Sequence, residues 1–554
     1  DSQPREARPP HPDYPTPKLA ESEAIFLLEE PDRGPVVRAM EVPSTEGIKW
    51  SAHTHCELGA ERVVCGPSLA KKDIQTPRRF WRVGRRKGRQ VLVEKRFGPR
   101  VESTLIIEPG QGGKTLRMVL LSSRGVVRWS RHFDSKGTRY SSRRRSGENE
   151  LKGCGYMALT RDKAGRLAGV TCTQWTAGMM KDTQGVVQTL FKRDRDGLEV
   201  ARIRLDEGGE HMVGHDGYHQ RVTTRDRLGR PGEERYKDLK GFPVMAAGSG
   251  CHGWRHAYNE QGLKERKICL AAGEKPAGDN QGVCGYRWEY DGRGCKVRQV
   301  NLMLKNGRCT RASKHFVYTV DEYCDRLSKV CLDASSKRTI CGTRQPAEFR
   351  YRRDEQGQIT ATTHFKKDHK PGQDVSCSSF EVRYAYNDRG NEVRRAWFGP
   401  GNKAKDCWGT GFHAYANEVD DAGRIIRRRF FDSAGRPTTN LGCAVRSFTY
   451  DNYDHTVETE DRDAKGKLSA QLGMARKRYI FDGGHRNFGM LLFNARQEPS
   501  AYSGCFTGQR CTKKKWHALR ISRRANGSVA KNLFFDGDGQ LIDSIDCAKT
   551  LCWK

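Results

Sequence analysis

The sequence predicts an all-β protein: one long antiparallel sheet of about a dozen β-hairpin repeats, with a period of 31–33 residues, curled into a barrel, shell or solenoid. Three observations predict it. An acidic or amide residue followed three positions later by Gly recurs at a near-constant step. The segments between these turns alternate apolar and charged residues. Capped helical patterns are missing.

The turns come first. Asp162-Lys-Ala-Gly165, Asp194-Arg-Asp-Gly197, Asp226-Arg-Leu-Gly229, Asn259-Glu-Gln-Gly262 and Asp291-Gly-Arg-Gly294 follow one another at steps of 32, 32, 33 and 32 residues. Asp354, Asn387 and Asp420, each with its Gly, continue the series. Asp321, Asp451 and Asp482 keep the register with Cys324, Asp454 and His485 in the Gly place, and Asn526-Gly527 is a late copy. Arg85 to Gly88 and Ser122 to Gly125 are worn early copies. This is turn chemistry, because an Asx side chain bonds its own backbone and Gly accepts positive φ. About ten residues later each unit carries a second turn, clearest in Phe430-Phe431-Asp432-Ser-Ala-Gly435-Arg-Pro437 and repeated in Phe133 to Gly137 and Phe535 to Gly539. Between turns, Arg383-Tyr384-Ala385-Tyr386 and Glu392 to Phe398 space bulky residues mostly by two, the pattern of a strand with one buried face.

The Tyr-Asp-x-x-Gly turn, as in Tyr290-Asp291-Gly-Arg-Gly294 and Tyr386-Asn387-Asp-Arg-Gly390, resembles the YD repeats of Rhs and teneurin-type proteins, and the paired Phe-Asp-x-x-Gly-x-Pro turn resembles the same secreted bacterial hairpin arrays. The resemblance covers roughly residues 115–554. It implies a sheet spiralling around an interior space, which in full Rhs proteins encloses a toxin.

Three regions are expected: an extended Pro-rich arm over 1–45, a cap with worn repeat-like strands over 46–114, and the hairpin array over 115–554 with an insertion at 499–515. The chain opens at Asp1, which reads as a processed or trimmed form. No stretch reaches the roughly 20 consecutive apolar residues of a membrane-spanning helix.

Cysteine sets the compartment. There are 19, with no C-x-x-C pair for a zinc knuckle, so disulfides in a secreted or periplasmic protein are expected. Cys154 and Cys172 are 18 apart, as are Cys251 and Cys269, at equal places in their repeats, so these two bridges come first. Cys56–Cys65, Cys505–Cys511 and Cys547–Cys552 come next. The odd count leaves at least one thiol free or paired with another chain.

Lys plus Arg is 100 and Asp plus Glu is 67, a formal charge of +33. The basic runs are Arg85-Arg86-Lys87, Arg143-Arg144-Arg145, Arg427-Arg428-Arg429 and Lys513-Lys514-Lys515. In a β-array such positions line up into stripes, so Arg85, Arg86, Lys87, Arg143, Arg144, Arg145, Arg427, Arg429, Lys513, Lys514 and Lys515 are the candidate polyanion-binding residues. Alternation sends Arg427 and Arg429 to one face and Arg428 to the other.

Catalytic motifs fail on chemistry. Glu108 to Thr115 is Gly-rich, but Glu108 stands where a phosphate loop needs Gly. His211, His215 and His219 are four apart, but Gly214 and Gly217 interrupt any helix that would align them. Gly248-Ser249-Gly250 misses the spacing of a nucleophile elbow. No catalytic residue, metal ligand or cofactor is expected.

These observations describe a secreted β-repeat scaffold or binding protein with a basic surface for polyanionic or cell-surface partners. A protein partner also fits, whereas sequence-specific nucleic acid does not, since no recognition helix or zinc finger is present. Two alternatives stay open: a shell or carrier associated with a toxin or secretion system, and an enzyme with a loop-built site. Peptide mapping without reduction is expected to return Cys505–Cys511 and Cys547–Cys552 as linked peptides. Their recovery as free thiols would remove both the bridges and an argument for export.

Overall fold

The computed structural model describes residues 44–546, apart from short internal segments of which 501–516 is the longest. The expected arm over 1–45 therefore lies almost wholly outside the described residues, as do Lys513–Lys515, Cys505, Cys511, Cys547 and Cys552. The rest is nearly all strand. Thirty-two strands form one sheet and a separate two-stranded hairpin, Cys56–Leu58 with Val63–Cys65, lies beside it. That exceeds about a dozen hairpins because the strands from Arg79–Arg86 to Arg139–Arg144 join the same sheet. Every pairing is antiparallel and links strands adjacent along the chain, except that Lys49–His53 pairs directly with Arg79–Arg86.

The sheet has two rims. The turn rim carries the Asp-x-x-Gly turns that close each hairpin, and the loop rim carries the second turns and the loops leading to the next hairpin. Asp226 shows the turn chemistry: its Oδ1 accepts the N–H of Leu228 and Arg230, both at 2.9 Å, and its carbonyl accepts the N–H of Gly229, whose φ is +78°. The step from Asp291 to Asp321 is 30 residues, below the expected 31–33. There the loop rim shrinks to a two-residue hairpin turn, Asn306-Gly307, both at positive φ.

Successive hairpins meet through half a ladder. Within one hairpin Gln188–Arg193 and Glu199–Leu205 share six register pairs, whereas Glu199–Leu205 meets the following strand only at Ala201, Ile203 and Arg202 between them. Both ends of the strand then need other partners, since buried backbone groups left unpaired are costly. At the loop rim the strand's own loop folds back, bridging Leu205 to His211, Leu270 to Pro276, Phe365 to Pro371 and Phe431 to Pro437. At the turn rim the residue before the next Asp or Asn closes the gap. The hydroxyls of Tyr258, Tyr290, Tyr386 and Tyr450 donate to the carbonyls of Pro231, Lys264, Ile359 and Ile425 at 2.7–3.1 Å. Where Arg replaces Tyr the same carbonyl is reached: Arg193 bonds Leu167 O, Arg225 bonds Glu199 O and Arg353 bonds Arg326 O. The Tyr of the Tyr-Asp pair is thus a strand-end cap.

The array coils. Loop-rim residues of the first strands bond turn-rim residues much later in the chain: Arg79 N to Gln261 O at 2.7 Å, Arg100 to Arg293 O at 3.1 Å and Arg145 to Asp388 O at 2.5 Å. Arg124 is the tightest clasp. It is paired with Asp321 and Asp325, lies 3.9 Å above the Tyr323 ring, and its side chain is 14% exposed. These contacts join positions 182 to 243 residues apart, so roughly 200 residues make one revolution. The sheet is an open coil, held rim to rim, and not a closed barrel.

The hairpin Cys56–Cys65 latches the start of this coil. Arg131 donates to Gly59 O at 2.8 Å on one side. On the other, Glu57 pairs with Arg225 and accepts the Glu199 N–H at 3.0 Å. Burial alone would raise the Glu57 carboxyl, but His55, Arg225 and the Glu199 N–H outweigh it and hold the group down at about 2.

Two outcomes are expected. Tyr386→Phe keeps the ring and removes the bond to Ile359 O, which should lower stability by about 1 kcal/mol in urea unfolding. An unchanged midpoint would leave the cap idle. Glu57 has a folded pKa below its unfolded one, so its contribution is complete above about pH 4.5 and is lost as pH falls toward 2, at most about 3 kcal/mol. Glu57→Gln should flatten that part of the acid stability profile by close to one proton.

Candidate functional site

Seven consecutive loop-rim turns carry a row of cations, while the same place in the flanking turns holds Glu210, Phe242 and Glu498. Lys275, Arg308, Lys337, Lys370, Lys403, Arg436 and Lys467 occur in consecutive loop-rim turns, and all seven are exposed. In six of the turns the cation's own carbonyl closes the turn, accepting the N–H of the residue four earlier: Ala271, Asp333, Lys366, Gly399, Asp432 and Asp463, at 2.8–2.9 Å. Arg308 stands opposite Lys305 across the Asn306-Gly307 turn. Six of the seven thus take the same place in their turns, and Arg308 follows a shorter one. Two strands separate neighbouring turns, so the cations are spaced by about 10 Å.

Lys370 is 3.4 Å from Asp368 and Arg436 is 2.9 Å from Asp432, both at exposed tips where such pairs hold little. Among the described residues, the side chains of Lys275, Arg308, Lys337, Lys403 and Lys467 make no ion pair. On the turn rim the equivalent places hold Leu198, Arg230, Leu263, Cys295, Asp325, Gln358, Asn391, Arg424 and His455, with no common charge.

The two faces of the sheet differ. Curling crowds side chains on the concave face, and one face is crowded throughout. There cations lie over rings: Arg204 over Tyr218 at 3.8 Å, Lys267 over Trp254 at 3.8 Å, Lys329 over Phe316 at 4.5 Å and Arg428 over Tyr415 at 4.2 Å. Burial lowers Lys95, Lys267, Lys329 and Lys477 below the usual lysine value. Glu234 is held down at about 2 against its own burial, by His256, Arg221 and Lys267. The Arg446 guanidinium spans both oxygens of Asp461 at 2.6 and 2.8 Å. This face is an internally matched lining of cations, rings and carboxylates.

Of the basic runs read from the sequence, the three among the described residues lie in different strands and turns. Arg85 donates to Ser51 Oγ at 2.9 Å, Arg86 to Ser44 O at 2.6 Å, and Lys87 occupies the next turn at φ +50°. Arg143 is half-buried, Arg144 faces Glu150 at 3.3 Å, and Arg145 is spent in the coil clasp. Arg427 and Arg429 share Glu418 on the open face, while Arg428 turns inward to Asn417 Oδ1 at 2.9 Å, as alternation requires.

Of the cysteines, Cys56–Cys65, Cys154–Cys172 and Cys251–Cys269 are bridged. Four further bridges were not anticipated: Cys284–Cys309, Cys295–Cys324, Cys331–Cys341 and Cys377–Cys407. Cys443 is a buried free thiol pushed up to about 12 by burial and by Asp461. Seven disulfides are the chemistry of an oxidising, extracytoplasmic compartment. The His211 and His219 rings stack at 4.6 Å, whereas His215 packs against Gly185 of the preceding repeat. Among the described residues no helix is long and apolar enough to cross a membrane.

No family model matches the chain, and no curated protein matches it in sequence. Solved structures with a similar trace include TcdB2-TccC3-TEV (11% identity, TM-score 0.33, 88% of this chain and 24% of that one) and TcdB2-TccC3-Cdc42 (10%, 0.33, 90% and 29%). The Photorhabdus luminescens Tc holotoxin pore is another (10%, 0.27, 84% and 25%). The chain spans about a quarter of the length of each.

Proposed function

We propose that the protein is a secreted, non-enzymatic β-repeat scaffold, of the YD-repeat kind, that binds polyanionic partners through its loop rim. The observation that carries this reading is the rail of seven exposed cations in consecutive loop-rim turns. Side chains with no structural task, repeated at fixed intervals, form a track of positive potential along the coil. The polyanion surface expected from the tribasic runs moves accordingly to these single residues.

A second reading, a shell or carrier for a toxin or secretion system, is favoured by the coil itself and its lined concave face. It places a partner inside the coil and leaves the rail unused.

Titration of the full chain against heparin, duplex DNA and anionic vesicles tests the first reading. Binding is expected to ignore sequence and to weaken about a thousandfold between roughly 50 and 200 mM salt, the fall expected for some seven charge contacts. Absence of binding to every polyanion at low salt would leave the rail as a solubility device and favour the shell.

A further inference from the structure

We propose that the loop-rim rail holds a linear acidic polysaccharide of low charge density, a proposal that rests on the polyanion reading above. Three features of the rail select this class: its spacing, its path and its neighbours.

Spacing comes first. The rail presents single cations about 10 Å apart, two strands per repeat. Duplex DNA carries one charge per roughly 1.7 Å of axis, so a single file of this density neutralises little of it. A uronic-acid polymer with one carboxylate per disaccharide offers its charges at intervals comparable with the hairpin spacing. Carboxylates lie in the same turns as four of the cations, at Asp333, Asp368, Asp432 and Asp463, and lower the positive charge the rail offers a dense polyanion.

The path of the rail excludes stiff and flat partners. The row follows a coil whose loop rim meets the turn rim one revolution later, as Arg124 does with Asp321 and Asp325. The rim therefore climbs by one strand length, about 20 Å, over the roughly 200 residues of a revolution. The rail runs from Lys275 to Lys467 and spans most of that climb. The rise exceeds the screening length of about 8–10 Å, so a flat lipid surface meets only a few of the cations at once. Duplex DNA, with a persistence length near 50 nm, resists following a row of some seven points that runs around most of one revolution.

The neighbours exclude a second copy of the chain. Within the molecule, loop-rim arginines clasp acidic turns one revolution on. In a head-to-tail stack the rail would meet the turn rim of the first coil, which presents Lys87, Lys114, Lys136 and Lys163, all exposed. Like charges face each other there, so the rail is open to a foreign acidic chain.

The test uses the full-length protein with hyaluronate and unsulfated chondroitin, each with one carboxylate per disaccharide, as probes, beside duplex DNA and phosphatidylglycerol vesicles. Lys337→Glu/Lys370→Glu/Lys403→Glu reverses three adjacent rail positions at exposed tips. Lys87→Glu/Lys114→Glu/Lys136→Glu makes the same charge change on the opposite rim. Thermal melts of both establish that they fold. At about 50 mM salt the rail variant is expected to lose more than tenfold in affinity for the uronate polymers, with a salt slope flatter by about 2, while the opposite-rim variant changes less than twofold. Equal losses in the two variants would overturn the proposal, because net charge alone would then explain binding. If DNA or vesicles bind through the rail and the uronate polymers do not, this inference falls while the polyanion reading stands. If no polyanion binds, both fall.

Discussion

The structure depends on one mismatch. Through most of the array a hairpin is held internally by six register pairs and to its successor by three, as at Gln188–Leu205. A sheet built this way exposes unpaired backbone at both ends of every outer strand, and such edges template aggregation unless covered. The sequence repeats because the cover repeats. A loop folds back at one rim, and a Tyr or Arg reaches across at the other. Asp and Gly shape the turn, but the residue before the Asp ties one hairpin to the next. Tyr serves because its ring lies on the crowded face while its hydroxyl reaches the carbonyl of the preceding hairpin. Arg does the same with a planar, multi-donor head, and Arg193 and Arg353 each take a second carbonyl from their own turns.

The coil closes with the same chemistry at longer range. Loop-rim arginines of the first strands meet carbonyls and carboxylates of turns that the Asp-x-x-Gly motif has already ordered. Isolated exposed ion pairs contribute little to stability. Arg124 differs because two carboxylates and an aromatic ring converge on a side chain that is mostly withdrawn from water. Acid weakens this architecture through its carboxylates: Glu57 at the latch and Glu234 on the concave face both titrate near 2 when folded and nearer 4.5 when not.

The period, the antiparallel hairpins and the two 18-residue bridges are legible in the sequence because each is written locally, in turns and in spacings within one hairpin. What crosses between hairpins is not. Cys284–Cys309 and Cys295–Cys324 join residues from neighbouring hairpins, and no short spacing announces them. Arg193, Arg225 and Arg353 hide the cap, since an Arg before an Asp reads as an ordinary surface pair. The strands from Arg79 to Arg144 look like a separate cap because the connections between their hairpins are shorter, yet they pair antiparallel into the same sheet. The rail escapes a search for basic runs because it is one residue per repeat. Aligning the chain on the second turn, as in Gly435-Arg436 and Gly466-Lys467, brings it out.

Why the excess charge collects at a rim follows from where a coiled sheet can hold unmatched cations. On the concave face a desolvated cation needs a ring or a carboxylate, and Lys267, Arg428 and Arg446 have them. On the open face, side chains directly across a ladder touch, and like charges there destabilise the pair. Several arginines accordingly stand opposite acids, as Arg255 at Glu233, Arg427 at Glu418 and Arg478 at Glu458 do, although Arg266 faces Arg287. At the junction between coils the cations are taken up by turns. The loop-rim tips are solvated and separated by two strands, and among the rail cations only Arg308, opposite Lys305, sits in a ladder pair, so a cation there costs the fold almost nothing. Among the described residues, most members of the tribasic runs lie in strands or in the clasp and satisfy structure first. The residues best placed to meet an external anion are therefore the solitary Lys and Arg that the fold itself does not use.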